Sequence, residues 1–103
     1  MADIELKSNE KKYIEFIIKD SDLERFNLTS IDATIQIQKY GESTLVITNT
    51  CEVTSAVDGE CRWLYGGTLS TGDYKAEIEL TTTGGLKYIT PSFDIEVVSG
   101  LPE

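Results

Sequence analysis

The sequence predicts an all-β protein, a sandwich of about seven to eight antiparallel strands in a single domain that spans residues 1–103. Three observations lead to this fold class. Short segments alternate apolar and polar side chains, as in GDYKAEIEL at residues 72–80. Threonine, isoleucine, valine and tyrosine, which strands prefer, dominate these segments. Turn-forming residues recur about every 8–12 positions, a spacing typical of sandwiches and barrels.

The candidate strands are apolar or alternating runs bounded by turn signals. In chain order they are DIELKS (3–8), KYIEFIIKD (12–20), IDATIQIQKY (31–40), STLVITN (43–49), CEVTSAV (51–57), CRWLY (61–65), GDYKAEIEL (72–80), LKYIT (86–90) and FDIEVV (93–98). The helical candidate is DSDLERFNL at residues 20–28, with Asp20 or Asp22 as its N-cap. Proline cannot donate a hydrogen bond to a ladder, so we expect Pro91 at an edge, a bulge or a strand switch.

The chain is strongly acidic, with 18 acidic residues against 9 basic ones and a net charge of -9. An acidic surface repels phosphate, so we expect no nucleic-acid partner. Partners with basic patches are favoured, although acidity is also a general route to solubility. No apolar run approaches the ~20 residues that span a bilayer, and residues 1–12 lack the apolar stretch of a signal peptide. We therefore expect no membrane partner.

The residue types present exclude several kinds of catalytic site. The sequence has no histidine, which removes the commonest general base at neutral pH and the commonest transition-metal ligand. The segments YGG (65–67) and TTGG (82–85) lack the spacing of a phosphate-binding loop and indicate turns. DSDLE (20–24) resembles the start of a calcium loop, but Arg25 and Ile31 occupy the positions where an EF-hand needs glycine and glutamate. We expect no enzyme, no cofactor and no bound metal.

Cys51 and Cys61 bracket a turn at Asp58-Gly59, and the loop length decides which residues face each other. A two-residue loop would place polar and aromatic side chains on the same face of the hairpin. A three-residue loop over residues 57–59 instead places the apolar side chains together on one face and gives Gly59 a left-handed conformation. We prefer the second register, in which Ser55 lies opposite Cys61, Val53 opposite Trp63 and Cys51 opposite Tyr65. It separates the cysteines by roughly 13 Å, too far for a disulfide. We expect two free, buried thiols in a reducing compartment.

The core is predicted between the two sheets, with Trp63 as its bulkiest side chain. The residues expected to be buried together there are Trp63, Tyr74, Ile35, Ile37, Ile78, Leu80, Val53 and Ile95.

The segment TLSTGDYKAEIEL (68–80) resembles the immunoglobulin-type strand that begins with a glycine and carries a tyrosine corner. Gly72 and Tyr74 match that pattern, and Ala76 stands where antibody domains carry their second cysteine. The resemblance implies an immunoglobulin-like β-sandwich with no disulfide, in which the Tyr74 hydroxyl bonds back to the preceding turn.

A longer resemblance covers FNLTSIDATIQIQ (26–38) and the chain from Val57 to Val98. Together these segments resemble the N-terminal domain of phage baseplate upper proteins and related immunoglobulin-like virion domains. The matching features are a turn at NLTS (27–30), the strand led by Gly59, the strand from Gly72 to Glu77, the Gly84-Gly85 hairpin and Thr90-Pro91. NLTS departs from the family's Asp-Leu-Thr-Gly by asparagine and serine at its two ends.

The resemblance implies a structural protein of a phage virion, made in the host cytoplasm and present in several copies. Its partners would be other virion proteins of the capsid, neck, tail or baseplate, and an accessory role on a capsid or tail fits equally. We expect docking through segments 2–8 or 98–103, because an end segment can add a strand to a neighbour's sheet. The candidate docking residues are Ile4, Leu6, Val98 and Leu101.

The alternative function is a free binding module that recognises carbohydrate or a host surface protein through its loops. A carbohydrate binder should display coplanar exposed aromatic side chains. The candidates are Tyr40, Tyr65 and Tyr88, of which we expect at least two to be in the core.

Overall fold

The computed structural model describes residues 3–20 and 22–99, which form nine strands in two sheets and no helix. The strands in chain order are β1 (Ile4–Lys7), β2 (Lys12–Ile17), β3 (Ile31–Lys39), β4 (Leu45–Thr50), β5 (Glu52–Ser55), β6 (Glu60–Tyr65), β7 (Gly72–Thr82), β8 (Lys87–Ile89) and β9 (Phe93–Val98). The two-sheet, all-β architecture predicted from the sequence is confirmed, and both cysteines are free.

The larger sheet has the order β1-β9-β7-β3-β4, with β8 also paired to β7, and the smaller sheet has the order β2-β6-β5. All pairs are antiparallel except β1 with β9, which is parallel. The expectation of antiparallel strands alone is therefore wrong at this edge. Between β1 and β9 the chain passes through both sheets. This long connection brings β9 back beside β1 in the same direction, which a short hairpin could not do.

The core lies between the sheets and follows the alternation of β3 and β7. Ile35 pairs with Ile78 and Ala33 with Leu80, so apolar side chains of both central strands point inward together. Seven of the eight side chains predicted to form the core are at most 2% exposed, namely Trp63, Tyr74, Ile35, Ile37, Ile78, Leu80 and Ile95. Val53, the eighth, is half-buried and packs against the same cluster.

The helix predicted over residues 20–28 is wrong. The Asp20 carboxylate accepts hydrogen bonds from the N–H groups of Asp22 (2.9 Å) and Glu24 (3.0 Å), which closes a turn instead of capping a helix. Leu23 is left-handed, with φ of 63°, and Lys19 then pairs with Arg25 across the turn. Local side-chain bonds thus fold the segment back on itself.

The β5–β6 hairpin departs from the predicted register by two residues. Val53 pairs with Cys61 and Glu52 with Arg62, and a bulge falls between Val53 and Ser55. Residues 56–59 form the turn, in which Gly59 N–H donates to Ala56 O at 3.2 Å. Gly59 is left-handed as predicted, with φ of 70°. Up to the bulge the shift is even, so Val53 stays on the same face as Cys61 as predicted, whereas Ser55 beyond the bulge pairs with Glu60 and loses its predicted face.

The same shift brings the two cysteines together. Both thiols are free and buried, as predicted, but their predicted separation is wrong. The Cys51 thiol contacts Cys61, and this hydrogen bond, followed by burial, raises the pKa of Cys51, while the same bond lowers the pKa of Cys61. Cys51 lies where the chain crosses from β4 to β5, and its N–H donates to Ala33 O at 2.8 Å. The pair therefore packs at the crossover between the sheets.

Tyr74 forms the predicted corner near the start of β7. Its hydroxyl donates to Ser70 O at 2.7 Å and lies 3.1 Å from Ser70 Oγ. The ring is 2% exposed, so the bond anchors the loop before β7, which begins at Gly72, to the core.

We expect Tyr74→Phe to lower the free energy of unfolding by about 1–2 kcal/mol, because the substitution leaves the Ser70 carbonyl without this partner. Tyr40→Phe is the control, because the Tyr40 hydroxyl also donates a hydrogen bond, to the Asp94 carboxylate, but Tyr40 is 50% exposed. Urea denaturation of both variants measures the difference. Equal losses would show that the Tyr74 bond contributes no more than a surface contact.

Candidate functional site: an apolar groove between the sheets

A groove with a volume of about 700 Å³ opens between the two sheets at one side of the sandwich. Its lining comes from the end of β2, the loop that follows β2, the inner face of β7, strand β8 and the start of β9. The lining residues are Phe16, Ile17, Ile18, Lys19, Asp20, Leu23, Phe26, Ile78, Leu80, Tyr88, Ile89, Thr90, Pro91 and Phe93. We call this surface the apolar groove.

One wall of the apolar groove is the loop after β2, which is held by Gly59. Ile18 N–H donates to Gly59 O at 2.8 Å, and Phe26 N–H donates to Ile18 O at 2.8 Å. A Cβ atom on Gly59 would lie 2.6 Å from Phe26 O and 2.7 Å from Ile18 O. Only glycine allows three backbone segments to approach this closely, so Gly59 fixes the position of the wall.

The tip of the same loop carries an exposed leucine. The Asp20–Glu24 turn is closed by Asp20 N–H donating to Glu24 O at 2.8 Å and Leu23 N–H donating to Asp20 O at 3.0 Å. Leu23 is 77% exposed, although it lines the groove. The turn therefore holds a large apolar side chain at the rim of the groove and in contact with solvent.

The opposite wall is β8 and the kink that ends it. Thr90 N–H donates to Ile78 O and Thr90 Oγ1 accepts from Ile78 N–H, each at 3.0 Å. Pro91 follows and cannot donate, so the ladder stops there, and β9 pairs with an earlier part of β7. Pro91 thus lies in the break between β8 and β9, and the predicted possibility of a strand switch is wrong because the chain keeps β7 as its partner on both sides.

Two aromatic pairs link the walls across the groove. The rings of Phe16 and Phe93 are 5.5 Å apart between centroids, and those of Phe26 and Tyr88 are 5.7 Å apart. Both distances lie in the range of favourable aromatic packing. The three phenylalanine rings are partly buried, whereas Ile17 and Ile89 at the rim of the groove are 50% and 57% exposed.

The chemistry of the groove suits an apolar ligand. Lys19 and Asp20 carry its only formal charges among the described lining residues, and they lie side by side in the chain. The described residues contain no group of three or more cysteine and carboxylate side chains placed to hold a metal. Exposed apolar patches of this kind usually mark interaction sites.

The structure corrects the predicted docking residues. Leu6 is fully buried, and β1 pairs with β9 of its own sheet, so Leu6 cannot fill a pocket on a neighbour although the outer edge of β1 is unpaired among the described strands. Ile4 packs against the core cluster, and Val98 pairs with Lys7. Leu101 lies outside the described residues. The N-terminal docking segment therefore belongs to the larger sheet, and its Leu6 side chain packs into the protein's own core.

The expectation that at least two of three tyrosines are in the core is also wrong. Tyr65 is buried, whereas Tyr40 and Tyr88 are 50% and 46% exposed. Tyr40 N–H donates to Asp73 O, and Tyr88 pairs with Leu80. Leu80 lies seven positions after Asp73 along β7. That separation corresponds to about 23 Å, so the two rings form no common platform for a sugar.

Sequence reasoning missed the apolar groove, although β2 carries one signal of it. KYIEFIIKD is apolar at consecutive positions, a pattern that predicts burial on more than one side of the strand. In the structure Ile17 faces the open side of the sandwich, so the same pattern reflects an exposed apolar wall.

Comparison with protein families and with curated proteins finds no match for this chain. Among the residues that the structure describes, none belongs to a helix long and apolar enough to cross a membrane.

Proposed function

We propose that this chain is a non-catalytic immunoglobulin-like docking module of a phage virion, made in the host cytoplasm, which binds a neighbouring virion protein through the apolar groove. The observation that carries the proposal is the groove itself, in which two aromatic pairs are bordered by exposed Ile17, Leu23 and Ile89. A surface of this kind binds another chain by covering apolar area. The neighbour belongs to the capsid, neck, tail or baseplate.

The strand order supports the immunoglobulin-like part of the proposal. With β2, β6 and β5 taken as strands B, E and D, the smaller sheet matches the B-E-D order of that fold. With β9, β7, β3 and β4 taken as G, F, C and C′, the larger sheet matches its second sheet. The Tyr74 corner then falls near the start of strand F. The first strand differs, because it pairs with G and not with B.

The edges beside the groove indicate what kind of segment it binds. Among the described strands, β2 pairs only with β6 and β8 pairs only with β7, so both strands that border the groove have a free edge. An extended segment of the neighbour can add to one of these edges through its backbone and place alternate apolar side chains in the groove. Basic residues beside that segment suit the net charge of -9, so binding should weaken as salt rises.

Substitutions at the rim test this proposal without altering the core. We expect Leu23→Asp and Ile89→Asp each to abolish incorporation of the chain into particles assembled in its presence, because each places a carboxylate on the apolar contact surface. Immunoblotting of purified particles measures incorporation. Circular dichroism checks that each variant is folded.

Val57→Asp and Leu86→Asp are the matched controls. They add the same charge at turn residues that are 71% and 62% exposed and do not line the groove. Both should be incorporated like the wild type. Equal incorporation of the rim variants would reject the groove as the docking site, and a wild-type chain absent from particles would reject the virion role.

A further inference from the structure

Strand β4 differs from every other described strand because it contains no charged residue. It forms the outer edge of the larger sheet, next to β3 only. All of its residues except Ile47 are exposed, including Leu45 at 43% and Val46 at 47%. Exposed edge strands in natural proteins usually carry a charge or a proline that prevents further pairing. The edge of β4 has neither.

The register shows which backbone groups of β4 face outward. Cys51 N–H donates to Ala33 O, and Asn49 and Ile47, two and four residues earlier, pair with Ile35 and Ile37 of β3. In an antiparallel ladder such bonds occur at alternate positions. The N–H and C=O groups of Thr48 and Thr50 therefore point away from β3, towards open solvent.

One side chain partly covers this edge. In the orientation that satisfies its partners, Asn49 accepts a hydrogen bond from Trp63 Nε1 at 3.2 Å and donates to Thr48 O at 3.0 Å. The Thr48 carbonyl keeps a second lone pair, and the outward N–H groups are unaffected. Asn49 therefore leaves the strand able to pair.

We propose that β4 pairs antiparallel with β4 of a second copy of this chain, about a two-fold axis at Asn49. Thr48 of one copy then lies opposite Thr50 of the other, and two such pairs exchange four backbone hydrogen bonds. The five-stranded path β1-β9-β7-β3-β4 of each copy becomes half of a continuous ten-stranded sheet. This inference concerns a different edge from the apolar groove and does not depend on the virion role.

A second copy can pair at the edge of β4 without bringing like charges together, which distinguishes β4 from the other edge strands. Each molecule carries a net charge of -9, which opposes self-association in general. Pairing along the edge strands β1, β2, β5 or β8 would bring formal charges into the contact, since these contain Glu5, Lys12, Glu52 and Lys87. Along β4 no like charges meet. Self-pairing at β4 therefore avoids local repulsion, and the remaining long-range repulsion is screened by salt.

Two oppositely charged double variants test the pairing. Thr48→Lys with Thr50→Lys places lysines opposite lysines across the axis, and Thr48→Glu with Thr50→Glu places glutamates opposite glutamates. Sedimentation equilibrium over a concentration series measures association. We expect the wild type to dimerise more strongly as salt rises, each double variant to stay monomeric where the wild type is half dimeric, and an equimolar mixture of the two to form heterodimers.

The control is Thr54→Lys with Thr83→Lys, which makes the same change of charge on exposed residues outside β4. It should dimerise at least as well as the wild type. A wild type that stays monomeric at every salt and protein concentration, or double variants that self-associate like the wild type, would overturn the proposal. The rim variants Leu23→Asp and Ile89→Asp should still dimerise, so the two proposals can fail separately.

Discussion

Replacing Trp63 by alanine is expected to lower the free energy of unfolding by about 3–5 kcal/mol. Trp63 is 1% exposed, pairs with Ile14 of β2 and packs its ring 5.7 Å from that of Tyr65. The substitution leaves a cavity between the sheets and removes the indole N–H that bonds to Asn49. For a domain of this size the loss is a large part of the total stability.

Equilibrium denaturation in urea, followed by circular dichroism, measures this loss. Leu64→Ala is the matched control, because Leu64 is the next residue of β6 but points outward and is 42% exposed. We expect its cost to stay near 1 kcal/mol or below. A Trp63→Ala variant that lost less than ~1 kcal/mol would show that the indole does not anchor the core.

The second large effect is expected for Gly59→Ala. The new Cβ would lie within 2.7 Å of the carbonyl oxygens of both Ile18 and Phe26, and the residue has a φ of 70°. Left-handed strain costs about 1–3 kcal/mol and overpacking about another 1–3 kcal/mol, so we expect a loss of roughly 2–6 kcal/mol in total. The clash also displaces the loop that forms one wall of the groove.

Gly41→Ala separates the two contributions. Gly41 has a similar φ of 83°, but a Cβ there would meet nothing within 4 Å. Its cost should therefore be the strain alone, about 1–3 kcal/mol. Denaturation midpoints of the two variants measure the difference. If Gly59→Ala cost no more than Gly41→Ala, the backbone around Gly59 would have to relax easily, and Gly59 would not fix the groove.

The parts of the fold that the sequence predicts well are those governed by local periodicity. Ile35 and Ile37 on β3, and Ile78 and Leu80 on β7, alternate with polar residues and are all buried. The Tyr74 corner was implied by the resemblance to an immunoglobulin-type strand, and its partner Ser70 is only four residues away in the chain. In each case the determining contact or pattern lies within one strand or one turn.

The features that the sequence did not predict depend on contacts between distant segments. The parallel pairing of β1 with β9 joins residues about 90 positions apart and follows from the return path of the chain. The apolar groove forms because Leu23 and Ile89, which are distant in the chain, line the same opening. The sequence around each residue gives no sign of this proximity. The hairpin register differs from the predicted one by one residue because the turn has four residues, 56–59, and by a further residue because of a bulge near Thr54. The sequence carries no distinctive signal for that bulge.

The parallel edge pair also determines how the domain responds to mechanical force. At one end of the pair Asp3 N–H donates to Asp94 O, and at the other Ser8 N–H donates to Val98 O. A pull applied between residues 3 and 99 therefore draws β1 and β9 past each other in opposite directions. All the hydrogen bonds between them are then loaded in shear at the same time, instead of breaking one after another. Leu6, fully buried beneath them, must leave the core before the strands can slide. The pair thus acts as a mechanical clamp against tension along the chain.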